Sequence, residues 1–195
     1  MTSAPDGSHP RDIRILRENV VYENRFGRLL DDDVEFRPDG SQGTYVRWQW
    51  RAPFSIAVLP ILDARSALLV RSYRHAARSP ILEVVKGFGD EDKAPADVAR
   101  EELRQEIGYE ADIIRPMGSV VTDPAFCFHP MHCFVAWGDC RSPVEPESSE
   151  VIVSVEKLHL ASIPAFIASG EVSDAVTIVL LWQAYWTEPG HAQAG

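Results

Sequence analysis

Runs of apolar residues divide the chain into a series of predicted β-strands. Residues 54–62 read Phe-Ser-Ile-Ala-Val-Leu-Pro-Ile-Leu, a nearly continuous apolar run that is typical of a strand buried on both faces. Shorter stretches predict further strands at 13–23, 28–36, 44–50, 67–72, 81–85, 113–122, 132–137 and 151–155. The first three of these are expected to form antiparallel hairpins, because turn-forming residues separate them.

The clearest helical pattern follows a loop that contains Gly87 and Gly89. Pro95 suits the first turn of a helix, where its missing N–H is not needed, and Gly108 suits the left-handed conformation that ends one. Between them an apolar residue recurs every four positions and forms one face of the predicted helix: Ala99, Leu103 and Ile107.

Two more helices are predicted near the C-terminus. Residues 157–169 form the first, which Gly170 closes, and residues 175–187 form the second, which Ser173 or Asp174 caps. No internal repeat or long linker interrupts the chain, so its 195 residues predict one domain of ordinary size, or one domain with a small appendage.

The composition is that of an acidic globular protein. Apolar residues make up 45% of the chain, charged residues 25%, and the net charge is −10. A nucleic-acid partner is not expected, because it calls for a basic surface. No apolar run approaches the roughly 18–20 residues of a membrane span, so a membrane partner is not expected either. The acidity suits a protein that presents carboxylates to metal ions.

The cysteines and the N-terminus predict a cytoplasmic protein. Cys127, Cys133 and Cys140 include no CxxC pair, which argues against zinc and for a reducing compartment. Residues 1–10 are polar and lack the apolar segment of a signal peptide, so we expect them to form a disordered tail.

Glu102 and Glu106 lie four residues apart and therefore share one face of the central predicted helix. Two carboxylates at this spacing repel each other unless a cation lies between them, and a hard cation with oxygen ligands is the obvious candidate. The glycines of the preceding loop let its backbone approach a ligand closely. A solvated acidic face, balanced by Arg100 and Arg104, is the alternative interpretation of the same helix.

The stretch from Gly87 to Tyr109 resembles the signature of the Nudix hydrolase family, G-x5-E-x7-R-E-U-x-E-E-x-G-U, where U is apolar. The matching residues are Gly87, Glu102, Leu103, Glu106 and Gly108, and Tyr109 nearly matches. Three residues depart from the signature: Lys93 and Gln105 stand in place of glutamates, and Glu101 stands in place of arginine.

The residues around this stretch resemble the branch of the family that hydrolyses ADP-ribose and ADP-sugars. Residues 83–87, Glu-Val-Val-Lys-Gly, are similar to that branch's Glu-Leu-Pro-Ala/Lys-Gly. Residues 71–74, Arg-Ser-Tyr-Arg, resemble its Gln-x-Arg, and residues 174–177, Asp-Ala-Val-Thr, resemble its C-terminal Asp-x-x-Thr. The likeness covers roughly residues 12–188.

The resemblance implies a fold of the α/β (α+β) class, a Nudix αβα sandwich around a mixed sheet, preceded by an N-terminal antiparallel β-sheet. In this branch the N-terminal sheet is often exchanged within a homodimer. We therefore expect residues 11–52 to form N-terminal strands that serve dimerisation, and residues 53–190 to form the Nudix hydrolase domain.

The resemblance also implies a metal site. Glu102 and Glu106 fall on the principal ligand positions, and Lys86 falls where a backbone carbonyl completes the site. Gln105 is a further candidate ligand, but an amide oxygen brings no negative charge, so we expect fewer or more weakly bound ions. Lys93 and Glu101 replace a glutamate and an arginine that can pair, which predicts a charge-reversed bridge between the loop and the helix.

Substrate contacts and a water-activating carboxylate are implied in the same way. Arg47, Arg74 and Glu83 fall on positions that serve substrate binding, while Trp50 is a candidate either for stacking on a base or for packing in a dimer. The carboxylate that activates water is expected from the loop that holds Glu145, Glu147 and Glu150, with Glu147 favoured and Glu150 next.

The implied reaction is Mg²⁺-dependent hydrolysis of a nucleoside diphosphate linked to a sugar, with Mn²⁺ as a possible substitute. ADP-ribose is the best single candidate for this small-molecule partner, and AMP and a sugar phosphate are the products. Two alternatives stay open. In the first, the domain is catalytically weak or inactive and binds such nucleotides as a sensor or regulator. In the second, it is a Nudix enzyme that acts on another diphosphate, such as a dinucleoside polyphosphate.

Overall fold

The apolar run at 54–62 forms β5 (Ser55–Asp63), the central strand of a seven-stranded sheet in the computed structural model. The structure describes residues 13–63, 65–144 and 151–187. These residues form two units: a small unit of 13–53 with 121–129, and a large unit of the other described residues. The predicted tail at 1–10 lies outside the described residues.

The small unit contains a four-stranded antiparallel sheet. Its longest hairpin joins β3 (Gly27–Phe36) to β4 (Ser41–Trp50), in unbroken register along both strands. The strand predicted over 13–23 is interrupted, and becomes β1 (Ile13–Arg17) and β2 (Val20–Glu23), which pair with different halves of β3. The interruption lies at Asn19, whose carbonyl accepts from the amide of Asp31 while its side-chain amide donates to the Asp31 carbonyl.

The large unit is built on a mixed sheet in the order β11-β6-β5-β10-β9. The parallel pairing joins β5 to β10, while β7 adds to β6, and β8 adds to β5, by antiparallel pairing. The strands other than β5 are β6 (Ser66–Arg74), β7 (Ser79–Glu83), β8 (Val85–Phe88), β9 (Tyr109–Val120), β10 (Met131–Cys140) and β11 (Ile152–His159). Residues 56–61 of β5 are buried, as their apolar run predicts.

Helices cover both faces of this sheet. The helix α1 (Pro95–Ile107) packs Val98, Ala99 and Leu103 into one core cluster, together with Val58 and Val85 of the sheet. The helices α2 (Ile163–Ser169) and α3 (Ala175–Thr187) belong to the core cluster on the other face. The αβα sandwich around a mixed sheet is therefore confirmed.

Strand pairing explains two of the places where element boundaries differ from prediction. The helix expected from residue 157 begins only at Ile163, because β11 continues to His159 by pairing with β6, and a short 3₁₀ turn follows. The strand expected over 81–85 is split at Val84, because β7 pairs with β6 while β8 pairs with β5. Among the described residues, no helix combines the length and the apolar character needed to cross a membrane.

Candidate active site

The position of Glu102 and Glu106 follows from the way α1 packs on the sheet. Leu103 and Ile107 are buried against the strands, as the four-residue spacing predicts, and they fix the rotation of the helix. Glu106 is only 6% exposed, and Glu102 is half-buried. Because carboxylates are rarely buried without a specific role, Glu106 marks this end of the helix as a candidate site.

Gly108 ends α1 in the left-handed conformation, with φ at 65°, as predicted. Its amide donates to the carbonyls near the end of the helix, and a Cβ at this position would lie 2.3 Å from the carbonyl oxygen of Ser142. The next residue, Tyr109, is fully buried, and its hydroxyl donates to the carbonyl of Ile61 at 2.6 Å. Burial raises the pKa of Tyr109, so this hydroxyl stays protonated and anchors the start of β9.

Gly87 leaves room for the Glu102 carboxylate. A Cβ on Gly87 would lie 2.0 Å from Oε1 of Glu102, so the carboxylate rests directly against the Cα of Gly87. Gly89 likewise leaves room for the ring of Phe54, which would lie 2.1 Å from an added Cβ. The groups that approach the two glycines are side chains of the protein, whereas the sequence predicts a ligand there. Gly87 itself lies within β8 rather than in the predicted loop.

The candidate metal ligands are oxygen donors, which suit a divalent cation such as Mg²⁺. Glu102, Glu106 and the half-buried Gln105 lie on α1, and Lys86 with its backbone carbonyl lies on β8, immediately before Gly87. Across residues 13–63, 65–144 and 151–187, no three His, Cys, Asp or Glu side chains are grouped as a metal site. The candidate bases Glu147 and Glu150, with Glu145, lie outside the described residues.

A cluster of charged side chains lies where β6, β7 and β8 meet. Glu83 is 2% exposed, and its carboxylate accepts from Nε of Arg74 at 2.6 Å and from Nζ of Lys86 at 2.9 Å. The Lys86 ammonium also lies 2.7 Å from Oδ1 of Asp174. Glu83 and Arg74, both predicted as substrate contacts, are therefore held to each other in this structure.

Asp174 connects this cluster to the beginning of α3. Its Oδ2 accepts from the backbone amide and from the hydroxyl of Thr177, which confirms the predicted cap. Burial disfavours the charged form of Asp174, but the Lys86 ammonium and the Thr177 hydrogen bonds outweigh that effect and lower the pKa of Asp174. The sequence did not indicate a role for the Lys86 side chain, because its partner Asp174 is far away along the chain.

Arg47 and Trp50 belong to the small unit. Nε of Arg47 lies 2.5 Å from Oδ2 of the buried Asp32, and its Nη2 lies 2.7 Å from Oε1 of Glu18. The ring of Trp50 contacts the ring of Trp48 edge to face at 5.4 Å between centroids. Trp50 also lines a surface pocket of about 310 Å³ with Glu23, Arg28, Gln49 and Arg51.

Lys93 and Glu101 form the bridge between loop and helix that their charge reversal predicts. The Lys93 ammonium donates to Oε2 of Glu101, and both side chains remain well exposed, at 46% and 38%. The hydrogen bond to Glu101 raises the pKa of Lys93. Two of the three departures from the signature therefore compensate each other, and Gln105 remains the departure that changes the donor set.

Comparison with known proteins places this geometry in context. The model of one family, the NUDIX domain, matches residues 52–176. An ADP-ribose pyrophosphatase of Bacillus subtilis (strain 168) is 27% identical over 173 residues, covering 85% of this chain and 91% of that protein. A methanol dehydrogenase activator of Bacillus methanolicus is 26% identical over 167 residues, covering 85% and 89%.

One more relative and one solved structure are also similar to this chain. A GDP-mannose pyrophosphatase of Citrobacter koseri is 27% identical over 183 residues, covering 87% of this chain and 93% of that protein. The crystal structure of an ADP compounds hydrolase superposes with a TM-score of 0.79 at 21% identity, covering 90% of this chain and 94% of the other. At that identity, the superposition bears on the fold alone.

Proposed function

Because the chain belongs to the Nudix family, we propose that it hydrolyses the diphosphate bond of a nucleoside diphosphate linked to a sugar. ADP-ribose is the substrate that we favour, with AMP and a sugar phosphate as products. The observation that carries the proposal is a pair of carboxylates on α1, the nearly buried Glu106 and Glu102 in contact with Gly87, at the positions that the family signature assigns to metal ligands. The relatives named as pyrophosphatases for ADP-ribose and GDP-mannose support the substrate class.

Nudix hydrolases use divalent metal ions, and we propose Mg²⁺ here, with Mn²⁺ as a substitute. Glu102 and Glu106 would hold it, with Gln105 and the Lys86 carbonyl as neutral donors. When bound there, such an ion would neutralise charge on the phosphate groups and make the attacking water more acidic. Glu147, or else Glu150, is proposed to accept the proton of the attacking water, and Arg47, Arg74, Glu83 and Trp50 remain proposed substrate contacts.

The proposal includes a cytoplasmic homodimer. Large apolar side chains of β1 and β2 are exposed in the single chain, and a second copy would cover them: Ile13, Ile15, Leu16, Val20, Val21 and Tyr22. Cys127, Cys133 and Cys140 are all free thiols, which suits a reducing compartment.

A second candidate function is binding of the same nucleotide without efficient turnover. Gln105 favours it, because replacing an anionic ligand by an amide weakens the attraction for a second or third cation. One relative is named as an activator of another enzyme, which also supports this alternative.

Release of AMP distinguishes the candidates. The protein is incubated with ADP-ribose, ADP-glucose, NADH or diadenosine polyphosphates in Mg²⁺ or Mn²⁺, and products are separated by ion-exchange chromatography. We expect AMP from ADP-ribose, and a loss of kcat on the order of a hundredfold in Glu106→Gln. Glu171→Gln, at an exposed position after α2, is the matched control and keeps full activity.

The other outcomes select among the alternatives. Tight binding of ADP-ribose without any AMP supports the nucleotide-binding function. AMP from diadenosine polyphosphates alone indicates a Nudix enzyme with a different diphosphate substrate. Undiminished turnover in Glu106→Gln contradicts the assignment of this carboxylate to the site.

A further inference from the structure

The side chain of Lys86 lies between two carboxylates in a nearly buried position. Its ammonium is 2.9 Å from Oε2 of Glu83 and 2.7 Å from Oδ1 of Asp174, and the side chain is only 15% exposed. Arg74 binds the other oxygen of Glu83, so this cluster contains two cations and two anions and carries no net charge. A neutral, hydrogen-bonded arrangement of this kind is the form in which charges are stably buried.

The backbone just before Lys86 is tied to the same helix. Val84 lies at the break between β7 and β8, and it is fully buried. Its amide donates to Oγ1 of Thr177 at 3.0 Å, and that hydroxyl donates in turn to Oδ2 of Asp174 at 2.6 Å. One oxygen of Asp174 therefore binds Lys86, and the other accepts from the Thr177 hydroxyl. Residues 84–86 are thus held at two points, at Lys86 by Asp174 and at the Val84 amide by Thr177.

The residue directly after Lys86 touches the candidate metal ligand. Glu102 lies so close to Gly87 that an added Cβ would be 2.0 Å from Oε1 and 2.6 Å from Cγ. The Glu102 carboxylate therefore lies in contact with the backbone of β8, so the position of β8 determines the space that this carboxylate can occupy. The path from Asp174 to Glu102 thus runs through Lys86 and one peptide unit.

We propose that Lys86 and Asp174 are positioning residues for metal binding, because they hold β8 in the place that sets the Glu102 carboxylate. The proposal rests on the proposed function, in which Glu102 is a metal ligand. Asp174, immediately before α3, and Glu102, on α1, contact β8 from opposite faces of the sheet. The contacts of Asp174 on one face therefore position the strand that Glu102 contacts on the other. Partners that orient ligands typically change metal affinity about tenfold or more when removed.

Binding of Mn²⁺ in the absence of nucleotide tests the proposal without relying on turnover. Free Mn²⁺ is followed by electron paramagnetic resonance during titration of the wild type, Lys86→Met and Asp174→Asn. We expect both variants to bind Mn²⁺ about tenfold more weakly than the wild type. Gly87→Ala is the reference for displacement of Glu102, because its Cβ occupies the place of the carboxylate, and it should show a similar loss.

A matched control separates this effect from the loss of a lysine in general. Lys157 lies 3.0 Å from Oδ2 of Asp63, and both side chains are about half exposed. Lys157→Met removes the same group from a single surface pair and should bind Mn²⁺ like the wild type. Asp174→Asn keeps the shape and the acceptor for Thr177, so it remains informative if Lys86→Met does not fold. Circular dichroism of each variant establishes that binding is measured on folded protein.

Kinetics supply a second readout that a purely structural role would not produce. In Lys86→Met, raising the Mn²⁺ concentration should restore kcat toward the wild-type value, because the loss lies in the affinity for the metal ion. Equal Mn²⁺ affinity in the wild type, Lys86→Met and Asp174→Asn would overturn the positioning role and leave the proposed function intact. A wild type that binds no Mn²⁺ and releases no AMP would instead overturn the proposed function, and this inference with it.

Discussion

Two lysines close to the signature helix have contrasting environments. Lys86, on β8, is 15% exposed and contacts two carboxylates, one of which, Asp174, lies immediately before α3 and is distant in sequence. Lys93, in the loop before α1, is 46% exposed and contacts the single carboxylate of Glu101. Both are side chains of the same type within a few residues of each other, yet one is enclosed by the fold and the other lies on its surface.

The contrast shows that burial decides what a charge pair does. An exposed pair gives up contacts with water for a contact with one mobile partner. It therefore contributes little to the free energy of unfolding, and its two charges can be exchanged. A buried cation cannot be removed without leaving its partners charged and desolvated, so the arrangement depends on every member. We therefore expect Lys86 to matter for both stability and the site, whereas Lys93 only connects the loop to the helix.

The largest expected effect is the loss of stability in Lys86→Met. The substitution leaves Asp174 and Glu83 without their shared cation, and removing one member of a buried pair costs roughly 3 kcal/mol. Urea unfolding followed by circular dichroism measures the change, with Lys93→Met as the matched control that should unfold almost like the wild type. Equal unfolding midpoints for the two variants would remove the distinction between the lysines.

Thr177→Val should have the next largest effect, because it removes a hydrogen bond without removing a charge. The amide of Val84 would stay buried with its acceptor lost, which costs about 1–3 kcal/mol. Thr177→Ser keeps the hydroxyl and should recover most of this stability in the same urea experiment. If Thr177→Val unfolds like Thr177→Ser, the hydroxyl does not hold the break between β7 and β8.

Local patterns predicted much of the fold. The apolar run at 54–62 is the buried central strand, and Pro95 and Gly108 mark the ends of α1, because these features depend on neighbours within a few residues. The late start of α2 was not predicted, because pairing of residues 157–159 with β6 overrides their local preference. The split at Val84 also depends on which strands lie beside it, and a single sequence does not reveal that.

The candidate site was predictable to the extent that it lies within one helix and its loop. Glu102 and Glu106 share a face by spacing alone, and the pairing of Lys93 with Glu101 follows from their complementary departures from the signature. The contact between Lys86 and Asp174 was not predictable, because it joins distant segments through the tertiary fold. The tight fit of Glu102 against Gly87 likewise requires the packing of α1 on β8.

The smallest expected effect belongs to charge reversal at the surface pair. Lys93→Glu and Glu101→Arg each place like charges together, so each should lower the melting temperature slightly at low ionic strength. The double variant, which exchanges the signs, should restore it. The differences should shrink in 1 M NaCl, because salt screens exposed charges. Stability that does not change in either single variant or in the double variant would show that the bridge is not structural.

The pH dependence of the Lys93–Glu101 pair is a further test of the contrast between Lys93 and Lys86. Glu101 raises the pKa of Lys93, so the stability from this pair is fully present below the ordinary lysine pKa and is lost as pH rises through the raised value. The melting-temperature difference between the wild type and Lys93→Met should therefore persist at neutral pH and decline in strongly alkaline buffer. A difference that grows with pH would mean that Lys93 acts through a partner other than the Glu101 carboxylate.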